Sequence, residues 1–155
     1  MTNHLKLADS YLRLSDEEKK YGNESESITN QREIIRDYCK KQGIIIVSEF
    51  VDDGYSGGNF ERPGFQAMLN HLAAGKANTV ITKDLSRLGR DMTESSYYAE
   101  RFFPEHGIHY LAPGNDFDSM GDNLMAPFQF AMNDVYLRDT SRKVKQTLDM
   151  KRKKG

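Results

Sequence analysis

The sequence contains a single cysteine, Cys39, among 155 residues, which excludes an internal disulfide and a cysteine-built zinc knuckle. In the helical stretch from Arg32 to Gln42 that thiol reads as a small buried apolar group. Long apolar runs are missing too. None reaches the length that spans a bilayer, and the N-terminus lacks an apolar segment of the signal-peptide kind, so a cytoplasmic protein without membrane contact is expected. The four histidines, His4, His71, His106 and His109, show no metal-ligand spacing on one helix and are expected in core or surface roles. There is no internal repeat, and low complexity is confined to the basic C-terminal end. Against these absences, 37% hydrophobic and 29% charged residues describe a globular domain with one good core.

The net charge of −1 hides an asymmetry, because residues 138–155 hold eight basic side chains against two acids and leave a net −7 on the first 137 residues. An acidic body of this kind is repelled by a polyanion except where its arginines gather and at its basic end. The final Lys-Arg-Lys-Lys-Gly suggests a domain that continues into a longer protein.

Short apolar strands alternate with capped helices, the pattern of an α/β fold with a largely parallel sheet. A strand is predicted from Lys6 to Leu14, ending at Ser15, and a polar loop over 16–26. A helix follows from Ser27 to Gly43. The β-branched run Ile44 to Phe50 feeds a Gly-rich loop over Asp53 to Asn59, and Pro63 and Gly75 bound the next helix. Thr79 to Thr82 is a short buried strand. A helix over Thr93 to His106, its last turn distorted by Pro104, precedes a strand over Ile108 to Leu111 and a loop over Pro113 to Asn123. From Leu124 to about Lys153 a single helix of roughly 40 Å is predicted, apolar on one side at first (Leu124, Phe128, Ala131, Val135) and then charged.

The chemistry-bearing residues are one serine and several arginines, in Tyr11-Leu12-Arg13-Leu14-Ser15, Glu61-Arg62-Pro63 and Ser86-Arg87-Leu88-Gly89-Arg90. A guanidinium gives two parallel hydrogen bonds to a phosphate and keeps its charge, so arginines converging on a hydroxyl suit a serine that attacks a phosphodiester. Arg13 and Ser15 share a face of their strand. Arg87 and Arg90 project together if their turn is helical, and both follow a buried strand, where open α/β sheets place ligand sites. Each signal has a plain structural explanation of its own: a turn-capping serine, a solvated strand arginine, a surface arginine before a helix, a solvated basic turn.

A rival motif is Gly54-Tyr55-Ser56-Gly57-Gly58, which satisfies the Gly-x-Ser-x-Gly nucleophile elbow, with Asp84 and His106 or His109 in triad order. The elbow needs a helix directly after its serine, whereas Asn59 to Pro63 intervene. Asp116-x-Asp118 with Gly121 has a partial likeness to a calcium loop, but Met120 and Pro127 stand where oxygen ligands are needed, so a turn is expected.

Taken together, Tyr11-x-Arg13-x-Ser15, Gln31-Arg32, Asp53-x-x-Ser56-Gly57, Arg62-Pro63, Arg87-Leu88-Gly89-Arg90 and the long C-terminal helix resemble the catalytic domain of the serine recombinases, the resolvase and invertase family, and most closely the large serine recombinases of mobile elements. The resemblance implies a three-layer α/β domain with a mixed, mostly parallel sheet over 1–123. It also implies a long helix over 124–155 for dimerisation and DNA contact, leading to further DNA-binding domains. Ser15 would be the nucleophile, with Arg13, Arg62, Arg87 and Arg90 on the scissile phosphate and Gln31 near it. Arg138, Arg142, Lys143 and Lys145 would meet DNA phosphates. The implied activity is cleavage and rejoining of double-stranded DNA through a covalent phosphoserine, with no metal or cofactor. Homodimers would pair into a synaptic homotetramer, with an accessory directionality factor as a further partner. One departure stands out. Family members often carry Asp immediately before the first arginine of Arg-Leu-Gly-Arg, and here that residue is Ser86. Asp84, two residues earlier, is the candidate substitute, and the alternative is a catalytically impaired DNA-binding paralogue.

Overall fold

The structure is a computed structural model that describes residues 5–14, 18, 27–53, 62–89 and 91–121. The chain divides into two units, and the described residues all belong to the first, Met1–Asp122. The long-helix prediction, and with it Arg138, Arg142, Lys143 and Lys145, lies outside the described residues, as do Ser15, Ser56 and Arg90. No described helix is long and apolar enough to cross a membrane.

Strand β1 (Leu7–Leu14) lies inside a five-stranded sheet, between β2 and β3, in the order β2-β1-β3-β4-β5, with β2 at Ile45–Asp53, β3 at Thr79–Ile81, β4 at His109–Ala112 and β5 at Phe117–Asp118. The first three pairings are parallel and β4 with β5 is antiparallel. The sheet is therefore mixed and mostly parallel, as expected. The fifth strand was not: only two residues long, it lies inside the Gly-, Asp- and Asn-rich stretch read as a loop, where no alternating pattern can develop.

Helix α1 (Ile28–Gln42) begins where Ser27 accepts the Asn30 N–H at 3.0 Å and ends at Gly43, whose φ of +71° takes the left-handed region. Helix α2 (Pro63–Ala73) has proline in its first turn. The α-helical segment α3 (Met92–Tyr97) is followed by a π-helical turn, Tyr98–Phe102, and a short α4, Phe103–Glu105. The predicted distortion by Pro104 thus falls one turn earlier: the Phe103 N–H reaches back to the Tyr98 carbonyl. Widening the helix there accommodates a residue that lacks a donor and crowds the preceding turn.

Because side chains alternate along a strand, β1 sends Ala8 and Leu12 to one face, where they pack with Ile35 and Cys39 of α1 and with Ile81 and Leu111. Asp9, Tyr11 and Arg13 take the other face. There Tyr11 meets Phe65 of α2 edge-on at 5.3 Å, Phe65 meets Tyr98 at 4.9 Å, and Phe103 meets Tyr110 of β4 at 5.8 Å. The result is three layers. Burial pushes the Cys39 thiol up to about 11, which fits the inert packing role read from the sequence.

The topology also fixes where a site can lie. From β1 the chain moves outward to β2 and then returns past β1 to β3. The strand order thus reverses between β1 and β3, and the carboxyl ends of two such strands are the general ligand position of open α/β sheets.

Candidate active site

Arg13 lies at the carboxyl end of β1, and Arg87 ends the 3-10 turn Leu85–Arg87 that follows β3. Each holds the other through main-chain carbonyls. The Arg13 guanidinium donates from Nη2 to Ser86 O (2.6 Å) and Gly89 O (3.2 Å) and from Nε to Arg87 O (3.4 Å). Arg87 Nη1 donates back to Arg13 O at 3.1 Å and to Glu18 Oε2 at 2.6 Å. Burial lowers the Arg13 pKa, and the charges of Arg62 and Arg87 add to this against the opposing effects of Tyr11 and Glu18. Arginine's ordinary pKa lies so far above neutrality that the side chain is protonated in proteins, which gives the cluster its positive charge.

Arg62 is held by a different set of partners. Its guanidinium carbon lies 4.1 Å from the centroid of the Phe65 ring. Nη1 donates to Leu88 O at 2.8 Å and, at 3.5 Å, to the Tyr11 hydroxyl, while Nη2 is ion-paired with Glu94. The Tyr11 hydroxyl donates to Asp52 Oδ2 at 2.7 Å. The fully buried Asp52 carboxylate also accepts the Gly64 and Phe65 N–H groups at 2.8 and 3.0 Å, which caps α2. Glycine is required at 64 because a Cβ there would lie 2.8 Å from Val51 O. Burial, reinforced by the Asp52 hydrogen bond, raises the Tyr11 pKa, so Tyr11 acts as a neutral donor.

Gln31 is fully buried at the start of α1, and its amide is engaged by the Arg13 main chain: Oε1 accepts the Arg13 N–H at 3.2 Å and Nε2 donates to Arg13 O at 3.0 Å. Asp84 caps its own turn. Its carboxylate accepts the Ser86 N–H at 3.0 Å and the Ser86 hydroxyl. The same turn is tied down by Asn115, whose Oδ1 accepts the Leu85 N–H at 2.8 Å, and by Ser95, whose hydroxyl accepts the Gly89 N–H and donates to Leu85 O. A Cβ on Gly89 would lie 2.6 Å from Ser95 N, so the glycine of the Arg-Leu-Gly-Arg motif is what lets α3 press against the turn.

The structure therefore brings Arg13, Arg62, Arg87 and Gln31 together near the carboxyl end of β1, and Arg62 and Arg87 are 7% and 3% exposed rather than solvated. The sequence reading missed Tyr11 as a donor, and Asp52, Glu94, Ser95 and Asn115 as partners. Only Asp91-x-x-Glu94, a helix-start pattern, carried a local signal.

Charged side chains withdrawn from solvent and fixed by carbonyls are the kind of arrangement that a preorganised anion site requires. Residues 8–155 match the family described as Resolvase, N terminal domain. The chain belongs to the resolvase family. Among relatives, this resolvase-family chain is 35% identical over 65 residues to the uncharacterized immunity region protein 3 of Bacillus phage phi105, a match covering 42% of this chain and 77% of the phage protein. Two solved structures share its fold. The N-terminal catalytic domain of TP901-1 integrase is 22% identical with a TM-score of 0.66, covering 90% of this chain and 98% of that one. A resolvase family site-specific recombinase from Streptococcus pneumoniae is 21% identical with a TM-score of 0.67, covering 94% and 97%.

Proposed function

We propose that this domain cuts and rejoins double-stranded DNA for a site-specific recombinase of a mobile element, with Ser15 as the nucleophile. The observation that supports this most is the gathering of Arg13, Arg62 and Arg87 at the carboxyl end of β1, with Arg62 and Arg87 buried and Arg13 half-buried, because Ser15 directly follows Leu14, the last residue of that strand. The serine oxygen attacks the scissile phosphorus and loses its proton. The bond from phosphorus to the 3′ oxygen breaks, the 3′ hydroxyl leaves with a proton, and a 5′-phosphoserine remains. Guanidiniums aimed at the phosphate bind the charge that builds in the transition state. The phosphoester keeps the bond energy, so the 3′ hydroxyl of a partner strand reverses the step without a cofactor.

In this reading Arg13, Arg62, Arg87 and Arg90 bind the phosphate, Gln31 acts by fixing Arg13, and Asp84 shapes the turn before Arg87. Residues 1–123 form the catalytic core, and 124–155 serve dimerisation and contact with DNA phosphates through Arg138, Arg142, Lys143 and Lys145. The active assembly is a cytoplasmic homodimer that pairs into a synaptic tetramer, with a directionality factor as accessory partner.

The test is a trapping assay with the full-length protein on nicked duplex carrying its recombination site. Wild type yields a covalent protein–DNA adduct that maps to Ser15, Ser15→Ala yields none while still binding the site, and Ser56→Ala behaves as wild type. A wild-type protein that binds the site and never forms the adduct is instead the impaired paralogue, and loss of activity in Ser56→Ala alone would favour the hydrolase elbow.

A further inference from the structure

We propose that Glu94 is a positioning residue for strand cleavage, fixing the orientation of Arg62; this rests on the recombinase reading above. The observations are geometric. Asp91 caps α3 by accepting the Glu94 N–H at 2.8 Å, so the Glu94 backbone is pinned at the first turn of the helix. From there its carboxylate takes Arg62 Nη2, in an ion pair whose side chains are only 8% and 18% exposed. Leu88 O takes Nη1 at 2.8 Å, and the Phe65 ring covers one face of the guanidinium.

A planar guanidinium gripped at both terminal nitrogens and stacked on a ring has lost its rotational freedom. Its remaining edge, carrying Nε, is bonded to no acceptor among the described residues, and this is the edge left for a phosphate. Two of the three grips come from segments that also border Arg87: Leu88 follows it directly, and α3 is tied to the same turn through Ser95 and Gly89. Glu94 therefore sets Arg62 in register with Arg13 and Arg87, and does so without touching the substrate. A surface ion pair contributes little to orientation, but one this deeply buried loses much when a partner is removed.

The experiment is a double-mutant cycle on single-turnover cleavage by the full-length protein, with Ser15→Ala as the blank. Glu94→Ala is expected to slow cleavage about 10- to 100-fold, in the range that misplacing a reacting group produces, with site affinity held within about twofold. In an Arg62→Ala background the same substitution should change the rate by less than about twofold, since coupled partners are not additive. Glu94→Gln, which keeps an acceptor oxygen, should recover part of the rate. Melting temperatures of all variants are measured alongside, so that a helix-start defect shows as a stability loss with additive rates. Additive effects, or equal rates in Glu94→Ala and wild type, overturn the positioning role while leaving the recombinase reading intact. Absence of any Ser15-dependent cleavage in wild type overturns that reading and this role with it.

Discussion

Under α1 the sheet packs Leu12, Ile81 and Leu111 against Ile35, an aliphatic layer held by dispersion and burial. Under α2 and α3 the same strands present Asp9, Tyr11 and Tyr110, with the ring of Phe65 facing Tyr11 from α2, and here nearly every aromatic or buried polar group has a named partner. Tyr11 donates to Asp52, Tyr110 shares a hydrogen bond with Thr82 at 2.6 Å, and Asp9 pairs with His71 at 2.6 Å. The difference teaches what each face is for. An aliphatic face tolerates reshaping as long as volume is kept, whereas a face of directional bonds transmits the position of one group to the next. Arg62 is mounted on the second face, through Phe65, Tyr11 and Glu94.

The comparison breaks most clearly at Asp52 and Ile35. Asp52→Ala leaves the Tyr11 hydroxyl and the Gly64 and Phe65 N–H groups without their acceptor, with an expected loss of about 4 kcal/mol in urea unfolding. Cleavage should also fall at temperatures where the variant is folded, because Tyr11 and the start of α2 no longer hold their places beside Arg62. Ile35→Ala opens a cavity on the aliphatic face at about 3 kcal/mol and should leave the folded protein's cleavage rate unchanged. Equal loss of activity in both would show that the two faces are not functionally distinct.

A smaller effect is expected at Asp84. Asparagine keeps the oxygen that accepts from Ser86, so Asp84→Asn should cost less than about 1 kcal/mol. Cleavage should slow by less than about tenfold. A loss of several powers of ten would instead give the Asp84 charge the role that an aspartate at position 86 was expected to fill.

The smallest effect is one of pH. Burial raises the Asp9 carboxyl above its ordinary 3.8, against the opposing pull of His71. The folded state therefore holds this proton more tightly than the unfolded chain. The resulting stability is fully present below pH 3.8 and is lost as pH rises through the folded-state value. Asp9→Asn removes that dependence, so the stability difference between variant and wild type should move in the variant's favour between pH 3 and neutrality. A difference independent of pH would show that Asp9 titrates alike in both states.

Much of this was legible in the sequence because it is local. Ser27, Gly43, Pro63 and Gly75 mark helix ends through backbone requirements that act within a few residues, and β1 was legible as a short apolar stretch ahead of a polar one. The arginine set was legible as types and spacings. What could not be read were the partners that cross the fold: Arg62 and Glu94 are 32 residues apart, and Arg13 and Ser86 are 73 apart. Spacing alone gave Asp84 an arginine to orient, whereas in the folded turn its carboxylate closes on Ser86. The strand β5 was hidden because two residues are too few to show a period.

The mutual grip of Arg13 and Arg87 has a consequence for how such a sequence can drift. Each guanidinium reads the other's main chain, Arg13 through the carbonyls of Ser86, Arg87 and Gly89 and Arg87 through the carbonyl of Arg13. A lysine in place of Arg13 would keep the charge, but a single ammonium cannot occupy the sites of both Nε and Nη2. The replacement would unseat the neighbour as well as itself. The two codons are thus tied to each other through backbone atoms that neither of them encodes, and a lineage that changes one inherits a defect at both.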